Sequence, residues 1–333
     1  MTTLRDAVLQ GSLEAAQLHA DAGMGLGHGG GISPIDVYRF IGDRQIALLF
    51  QKLGGLLGAY LEVERPGILV TTERTLAIQR FTAAHELGHA VLHHKVGLDG
   101  DEIIRRSPFS SARYDHREVA ADAFASMFLM PDFLINGIAS QQKWDYESIR
   151  DPRVIYQMSL RLGVSYEALA RTLVNHKYLD TNESRKVLQV PVKDIKADLL
   201  GSSFQPENWR CNVWYLSEKD EHTTVVAEPN DLFVVRLREM SGAGYLWNLE
   251  QVKKAGYQVL SDATEIPLSD GIGGEVERVI TARPANDHPG RFSTLQNRPW
   301  DPTDVASAFD FNFEVRAPEV GLSQSLKLRA LAA

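Results

Sequence analysis

The 333-residue sequence contains one cysteine, Cys211, so no disulfide can form within the chain and a disulfide-stapled secreted class is excluded. Long apolar runs are missing too. No stretch of 18 apolar residues occurs, and the opening MTTLRDAVLQGSLEAAQ has no signal-peptide core; no membrane partner is expected, and the cytoplasm is the expected compartment. Positive charge is scarce. Against 35 Lys and Arg stand 43 Asp and Glu, a net charge of −8, which is a poor basis for a phosphate-binding surface, so no direct nucleic-acid partner is expected. Proline is absent between Gly67 and Ser107, which leaves room for an unbroken helix.

That proline-free stretch holds FTAAHELGHAVLHH, Phe81 to His94. In a helix, residues four apart lie one turn above each other, so His85 and His89 can aim two imidazoles at one point. A metal ion is the natural occupant. Glu86 lies about 100° around the helix from His85, better placed to reach a metal-bound water than to serve as a third ligand. It is the candidate general base. Ala83, Ala84, Leu87, Ala90, Val91 and Leu92 make the surroundings helix-compatible and apolar, as a buried site requires.

Zinc suits two imidazoles and needs a third protein ligand, with one position left for water. His93 continues the same face, but three successive turns span about 11 Å, too far for three imidazoles to share one ion. The third ligand is therefore sought on another helix. Arg117 to Pro131, REVAADAFASMFLMP, reads as one, with Val119, Ala120, Ala123, Phe124, Met127, Phe128 and Met130 as its apolar face and Pro131 at its end. Glu118 opens it and Asp122 follows one turn later. Glu118 in a first turn compensates the helix dipole, and as a ligand it completes a His, His, Glu set. Asp122 can then hold the outer nitrogen of a ligating His.

The HELGH motif with a trailing His, followed by Glu118, Ala120, Ala121, Asp122, FA and a closing MP, resembles the ImmA/IrrE family of bacterial metallopeptidases. The order of GLLGAYL at Gly55 to Leu61, GILV at Gly67 to Val70 and QRFTAAHELGH agrees with it. The resemblance spans roughly Ser33 to Leu179. It implies a gluzincin-like, zincin-fold peptidase in which His85, His89 and Glu118 bind metal and Glu86 activates water, acting on transcriptional repressors.

Along the rest of the chain, Thr2 to Ala22 has helical spacing and Gly23 to Gly31 reads as a joint. Ser33 and Pro34 are expected to open a short helix through Phe40 and Ile41. Strands are expected at Gln45 to Phe50, Leu56 to Val63 and Ile68 to Thr72, with Thr71 or Thr72 capping the motif helix. Between Lys95 and His116 a polar loop supplies Arg105, Arg106, Tyr114 and His116 as candidate oxyanion stabilisers. Two helical patterns flank LGVS at Leu162 to Ser165, resembling a helix-turn-helix unit. Eight Lys and Arg against six Asp and Glu over residues 136–190 favour packing over DNA reading there.

From about Val190 the pattern turns to β, with strands expected at Leu232 to Glu239, Val276 to Ala282 and Phe309 to Val315. GYLW at Gly244 to Trp247, GIGG at Gly271 to Gly274 and RPW at Arg298 to Trp300 resemble the three binding loops of chagasin-type cysteine-peptidase inhibitors. Met240, Ser241, Gly242 and Ala243 stand where that family usually has Asn-Pro-Thr-Thr, so weak inhibition is expected.

These readings describe an α+β multidomain protein. Residues 1–32 form an N-terminal helix and linker, 33–135 a zincin-like mixed α/β catalytic domain, 136–190 a helix-turn-helix-like extension and 191–333 an immunoglobulin-like, chagasin-like β-sandwich. A fragment ending near Val190 is expected to fold and hold metal. The expected activity is that of a zinc-dependent endopeptidase, manganese being the other metal the ligand set admits, acting on a repressor supplied in trans. The rival reading is a catalytically silent peptidase-like scaffold that senses or sequesters a regulator through the sandwich.

Overall fold

The computed structural model describes residues 3–25, 32–62, 64–94, 115–202, 204–265, 276–285, 288–323 and 327. The chain opens with α1 (Leu4–Asp21), held at its start by a capping box in which Thr3 and Asp6 exchange side-chain and backbone bonds. Helix α2 (Val37–Asp43) follows. Its cap is Asp36, which accepts from the Arg39 N–H, so Ser33 and Pro34 lie ahead of the helix rather than opening it. A carboxylate one residue before the first helical turn satisfies an orphan N–H that Ser33 is too distant to reach.

Three short strands come next, β1 (Ala47–Gln51), β2 (Gly58–Leu61) and β3 (Gly67–Thr71), with β1 parallel and β2 antiparallel to β3. The motif helix α3 (Leu76–Val91) leaves this sheet. Its N-cap is Thr75, not Thr71 or Thr72; Thr71 instead accepts from the Glu73 N–H within the turn. Helix α4 (His116–Leu129) lies across α3 and ends before Pro131, which caps α5 (Asp132–Gln142). The span His116–Gln142 is long and apolar enough to cross a membrane by length and composition. Here it is two helices broken at Pro131, with Phe124, Phe128, Leu129 and Ile135 in the core.

Gly11 lets α1 lie directly on α4. A Cβ there would overlap the Ala120 carbonyl oxygen, which is backbone and cannot step aside.

Helices α6 (Pro152–Leu162) and α7 (Tyr166–Asn175) form the pair around LGVS, with Gly163 in the left-handed C-cap position and Ser165 as the next N-cap. Their turn docks on the motif helix: the buried Arg80 of α3 donates from Nε to Gly163 O at 3.0 Å and from Nη2 to Ile35 O at 2.7 Å. Two further helices, α8 (Thr181–Leu188) and α9 (Val192–Leu200), precede the first sandwich strand.

The C-terminal half contains β4 (Val213–Leu216), β5 (Thr224–Ala227), β6 (Leu232–Glu239), β7 (Leu246–Asn248), a one-turn α10 (Glu250–Lys254), β8 (Tyr257–Glu265), β9 (Val276–Pro284), β10 (Gly290–Arg298) and β11 (Asp301–Val315). They pair as two four-stranded sheets, ordered β5-β11-β10-β7 and β4-β6-β9-β8. Phe233, Tyr257, Phe292, Phe309, Phe311 and Phe313 fill the space between them, which makes this half a β-sandwich. Each sheet has one parallel pair, β4 with β6 and β5 with β11, and the rest antiparallel. The GYLW residues enter β7 and RPW forms the β10–β11 turn, where the exposed Trp300 lies on Gly244. GIGG falls outside the described residues.

The two halves are not separable beads. Val213, Leu232, Val234 and Val279 of the sandwich belong to the same apolar cluster as α3 and α4. After β11 the chain returns, and β12 (Gly321–Leu322) pairs antiparallel with β1, giving the N-terminal sheet the order β12-β1-β3-β2. The expected autonomy of a fragment ending near Val190 is at odds with these contacts.

The sandwich also meets the start of α3. The Glu228 carboxylate faces the Leu76 N–H, the first donor of the motif helix. Burial, then the neighbouring Asp231, pushes Glu228 up to about 7, while Asp231 accepts from the Asn212 and Glu228 N–H groups at 2.8 Å and from Trp214 Nε1 at 3.0 Å. A carboxyl with a raised folded-state pKa makes the folded chain bind more protons than the unfolded one. Stability therefore falls as pH rises from about 4.5 to 7 and is flat above. Glu228→Gln still offers an oxygen to Leu76 and has no charge to desolvate. We expect its melting temperature to exceed that of the native chain by a few degrees at pH 8 and to converge with it at pH 4.5; a difference independent of pH would remove Glu228 as the cause.

Candidate metal centre

Helix α3 carries His85, Glu86 and His89 in its last two turns, and α4 carries Glu118 and Asp122 in its first two. Two glycines set the geometry. Gly88 gives α3 a flat face: a Cβ there would meet Phe124 Cδ1 at 3.0 Å and Ala121 Cα at 3.2 Å. Close approach of the helices is what carries Glu118 to the histidines. Gly58 does the same for β2, since its Cβ would lie 2.5 Å from Thr82 Cγ2 and 2.9 Å from Glu86 Oε1. The Glu86 carboxylate consequently lies against the strand and accepts from the Tyr60 N–H.

The five candidate residues come together. His85 Nε2 and His89 Nε2 are 3.1 Å apart, His85 Nε2 is 3.3 Å from Glu118 Oε2, and His89 Nε2 is 3.5 Å from Glu118 Oε1. A tetrahedral ion with bonds of about 2.0–2.1 Å separates its ligand atoms by about 3.3 Å. The three donors match that triangle, and two imidazoles with one carboxylate are the donor types zinc takes in catalytic sites. Among the described residues, His85, His89 and Glu118 form the group able to hold a metal ion.

The outer nitrogens are also engaged. His85 Nδ1–H donates to Asp122 Oδ1 at 2.8 Å, and His89 Nδ1 lies 3.0 Å from His94 Nδ1. Burial alone would lower His85, but Asp122, Glu118 and Glu86 outweigh it and hold the imidazole well above its usual range. Glu118 shows the converse: burial would raise it, but hydrogen bonds from His85 and His89 hold it far below the ordinary carboxylate range. Glu86 is raised, chiefly by burial. His94 is held down to about 4 by burial and by His89.

Sequence reasoning did not single out Gly58, Gly88 or the Tyr60 N–H. The two glycines stand in GLLGAYL and HELGH, but nothing local distinguishes a glycine required for close packing from one in a turn. Of the oxyanion candidates, His116 begins α4, exposed and facing Asp6 of α1; Arg105, Arg106 and Tyr114 fall outside the described residues. Cys211 is half-buried, its thiol raised by burial.

Residues 44–174 match the family model described as the IrrE N-terminal-like domain, Peptidase_M78. That span contains the whole constellation and is a peptidase-like domain. A search of curated proteins returns no match. Among solved structures, the chain is similar to the cysteine protease inhibitor EhICP2 from Entamoeba histolytica, at 20% identity over 33% of this chain and 100% of that one, with a TM-score of 0.29. It is similar to PbICP-C, solved in complex with falcipain-2, at 14% identity over 35% of this chain and 100% of that one, TM-score 0.23. Both of these structures align with the C-terminal part. A Mycobacterium tuberculosis transcriptional regulator aligns at 14% identity over 81% of this chain and 74% of that one, TM-score 0.30. These likenesses assign no activity to the sandwich.

Proposed function

We propose that the peptidase-like domain is a zinc-dependent endopeptidase that cleaves a regulatory protein in the cytoplasm, a transcriptional repressor supplied in trans, in a stress, mobile-element or defence response. The triangle of His85, His89 and Glu118 beside the buried Glu86 carboxylate carries the reading. Its repressor target follows from the resemblance of the motif to ImmA/IrrE peptidases.

His85, His89 and Glu118 would hold the ion. When bound, zinc polarises a scissile carbonyl and brings the pKa of a coordinated water towards about 7. Glu86, pressed against β2 and held by the Tyr60 N–H, takes the water proton and passes it to the leaving amine. Asp122 fixes the tautomer of His85 through its outer nitrogen. The outer edge of β2, the last strand in the sheet, offers backbone groups to an extended substrate by strand addition.

The helix pair α6–α7 turns its loop onto Arg80, which supports a packing role for that turn. A catalytically silent scaffold has no chemical need of a buried carboxylate at Glu86. When the metal-loaded protein is incubated with the repressor-like proteins of its own proteome, mass spectrometry should find fragments of one of them that disappear with chelator. No chelator-sensitive fragment from any such protein would sink the repressor reading.

A further inference from the structure

The end of the motif helix folds an additional imidazole against a proposed ligand. Leu92 closes α3, and His93 takes the left-handed conformation, φ 53°, which histidine adopts more readily than most side chains. The His93 N–H then reaches the Ala90 carbonyl at 3.3 Å and the His94 N–H reaches the His89 carbonyl at 3.0 Å. These two bonds make a Schellman motif, in which the second residue past the cap is folded back beside the residue five positions earlier. That pair is usually apolar. Here it consists of His94 and His89, with ring centroids 5.2 Å apart and Nδ1 facing Nδ1 at 3.0 Å.

Two imidazole nitrogens at that distance share one hydrogen, so one donates and the other accepts. The Nε2 of His89 faces His85 and Glu118, where coordination needs a lone pair. The hydrogen of His89 must then sit on Nδ1. We propose that His94 is the positioning residue for His89: its Nδ1 accepts the His89 Nδ1–H, fixing the ring's rotation and the tautomer that leaves Nε2 free to bind a cation. Asp122 stands in the same relation to His85. This inference rests on the metal-centre reading and adds the outer partner of the second ligand.

The test uses the full chain with His94→Leu and His94→Asn, zinc and cobalt(II) as probes, and the metal-free protein for the tautomer. Asparagine places an oxygen acceptor close to the position of the histidine Nδ1; leucine places none. His94→Leu should weaken zinc in chelator competition by about 10–100-fold and shift the visible bands of the cobalt-loaded protein, and His94→Asn should recover most of both. In the metal-free native chain, long-range proton–nitrogen correlation should show His89 protonated on Nδ1, a preference lost with leucine. Equal zinc affinity and unchanged cobalt bands in the leucine variant would overturn the assignment. So would equal losses with leucine and asparagine, which belong to packing. Should the native chain bind no zinc, the metal-centre reading fails on its own account, and a metal-free His89 with no proton on Nδ1 would separately overturn the role of His94.

Discussion

Glu86→Gln should keep one metal ion per chain and lose catalysis by a factor of about 10² or more, because the substitution removes a proton acceptor and no ligand. The structure sharpens the expectation. The Glu86 carboxylate lies between β2 and the last turns of α3, close enough to Gly58 that no Cβ is tolerated there. Glutamine is nearly the same shape, so the pocket and the triangle survive while the base is gone. Glu118→Ala should behave in the opposite way. It deletes one corner of a three-donor set whose distances of 3.1, 3.3 and 3.5 Å match one ion, and the variant should be purified without stoichiometric metal. Metal analysis by mass spectrometry, alongside turnover of a cleaved protein or generic peptide, separates the two. Full occupancy in Glu118→Ala would take Glu118 out of the ligand set, and an active Glu86→Gln would end its role as the base.

Ending the chain at Val190 should abolish cooperative folding and, with it, metal binding. Such a cut exposes more than the apolar side chains of a shared cluster. Gln157 loses the Val213 carbonyl and the Tyr215 N–H, both at 2.8 Å. Tyr156 Oη loses the Val213 N–H at 3.0 Å. Arg161 loses Asp220, its buried partner at 2.8 Å, and Gln142 loses the same carboxylate at 2.7 Å. On the motif helix, Gln79 loses a pair of bonds to Glu319, 3.1 Å from its amide nitrogen and 2.8 Å to its oxygen. Water reaches these groups once the sandwich is gone, so each loss costs the net worth of a hydrogen bond, about 0.5–1.5 kcal/mol, and about 1.5–3 kcal/mol for the guanidinium. Five such losses are comparable with the whole stability of a domain, about 5–15 kcal/mol. Near-ultraviolet circular dichroism and a thermal melt of the fragment decide the matter. A sharp melt with one metal per chain would restore the separable arrangement.

Much of the centre was legible because its signals are local. Four-residue spacing places His85 over His89 and Glu118 over Asp122 wherever the chain is helical, and an apolar face with Pro131 beyond it marks α4 as buried. Strand β6 occupies the residues its alternation predicts, and Gly163 with Ser165 punctuates the α6–α7 pair as the turn chemistry requires. Caps were less legible. Thr71, Thr72 and Thr75 are all competent N-caps, and which begins α3 depends on where β3 stops pairing; Asp36 outcompetes Ser33 for a similar reason.

By itself, then, the sequence determined α1, α3, α4 and the α6–α7 pair, three of the eight sandwich strands, the donor types and their pairing along each helix, all properties of neighbours a few residues apart. Tertiary structure alone decided that α4 would bring Glu118 to the histidines across the flat face at Gly88, that β2 would press on Glu86 through Gly58, and that the chain would return to lay β12 on β1. Those contacts have no period to reveal them. Gln79 and Glu319 are 240 residues apart, and only the packing of one half of the chain on the other makes them neighbours.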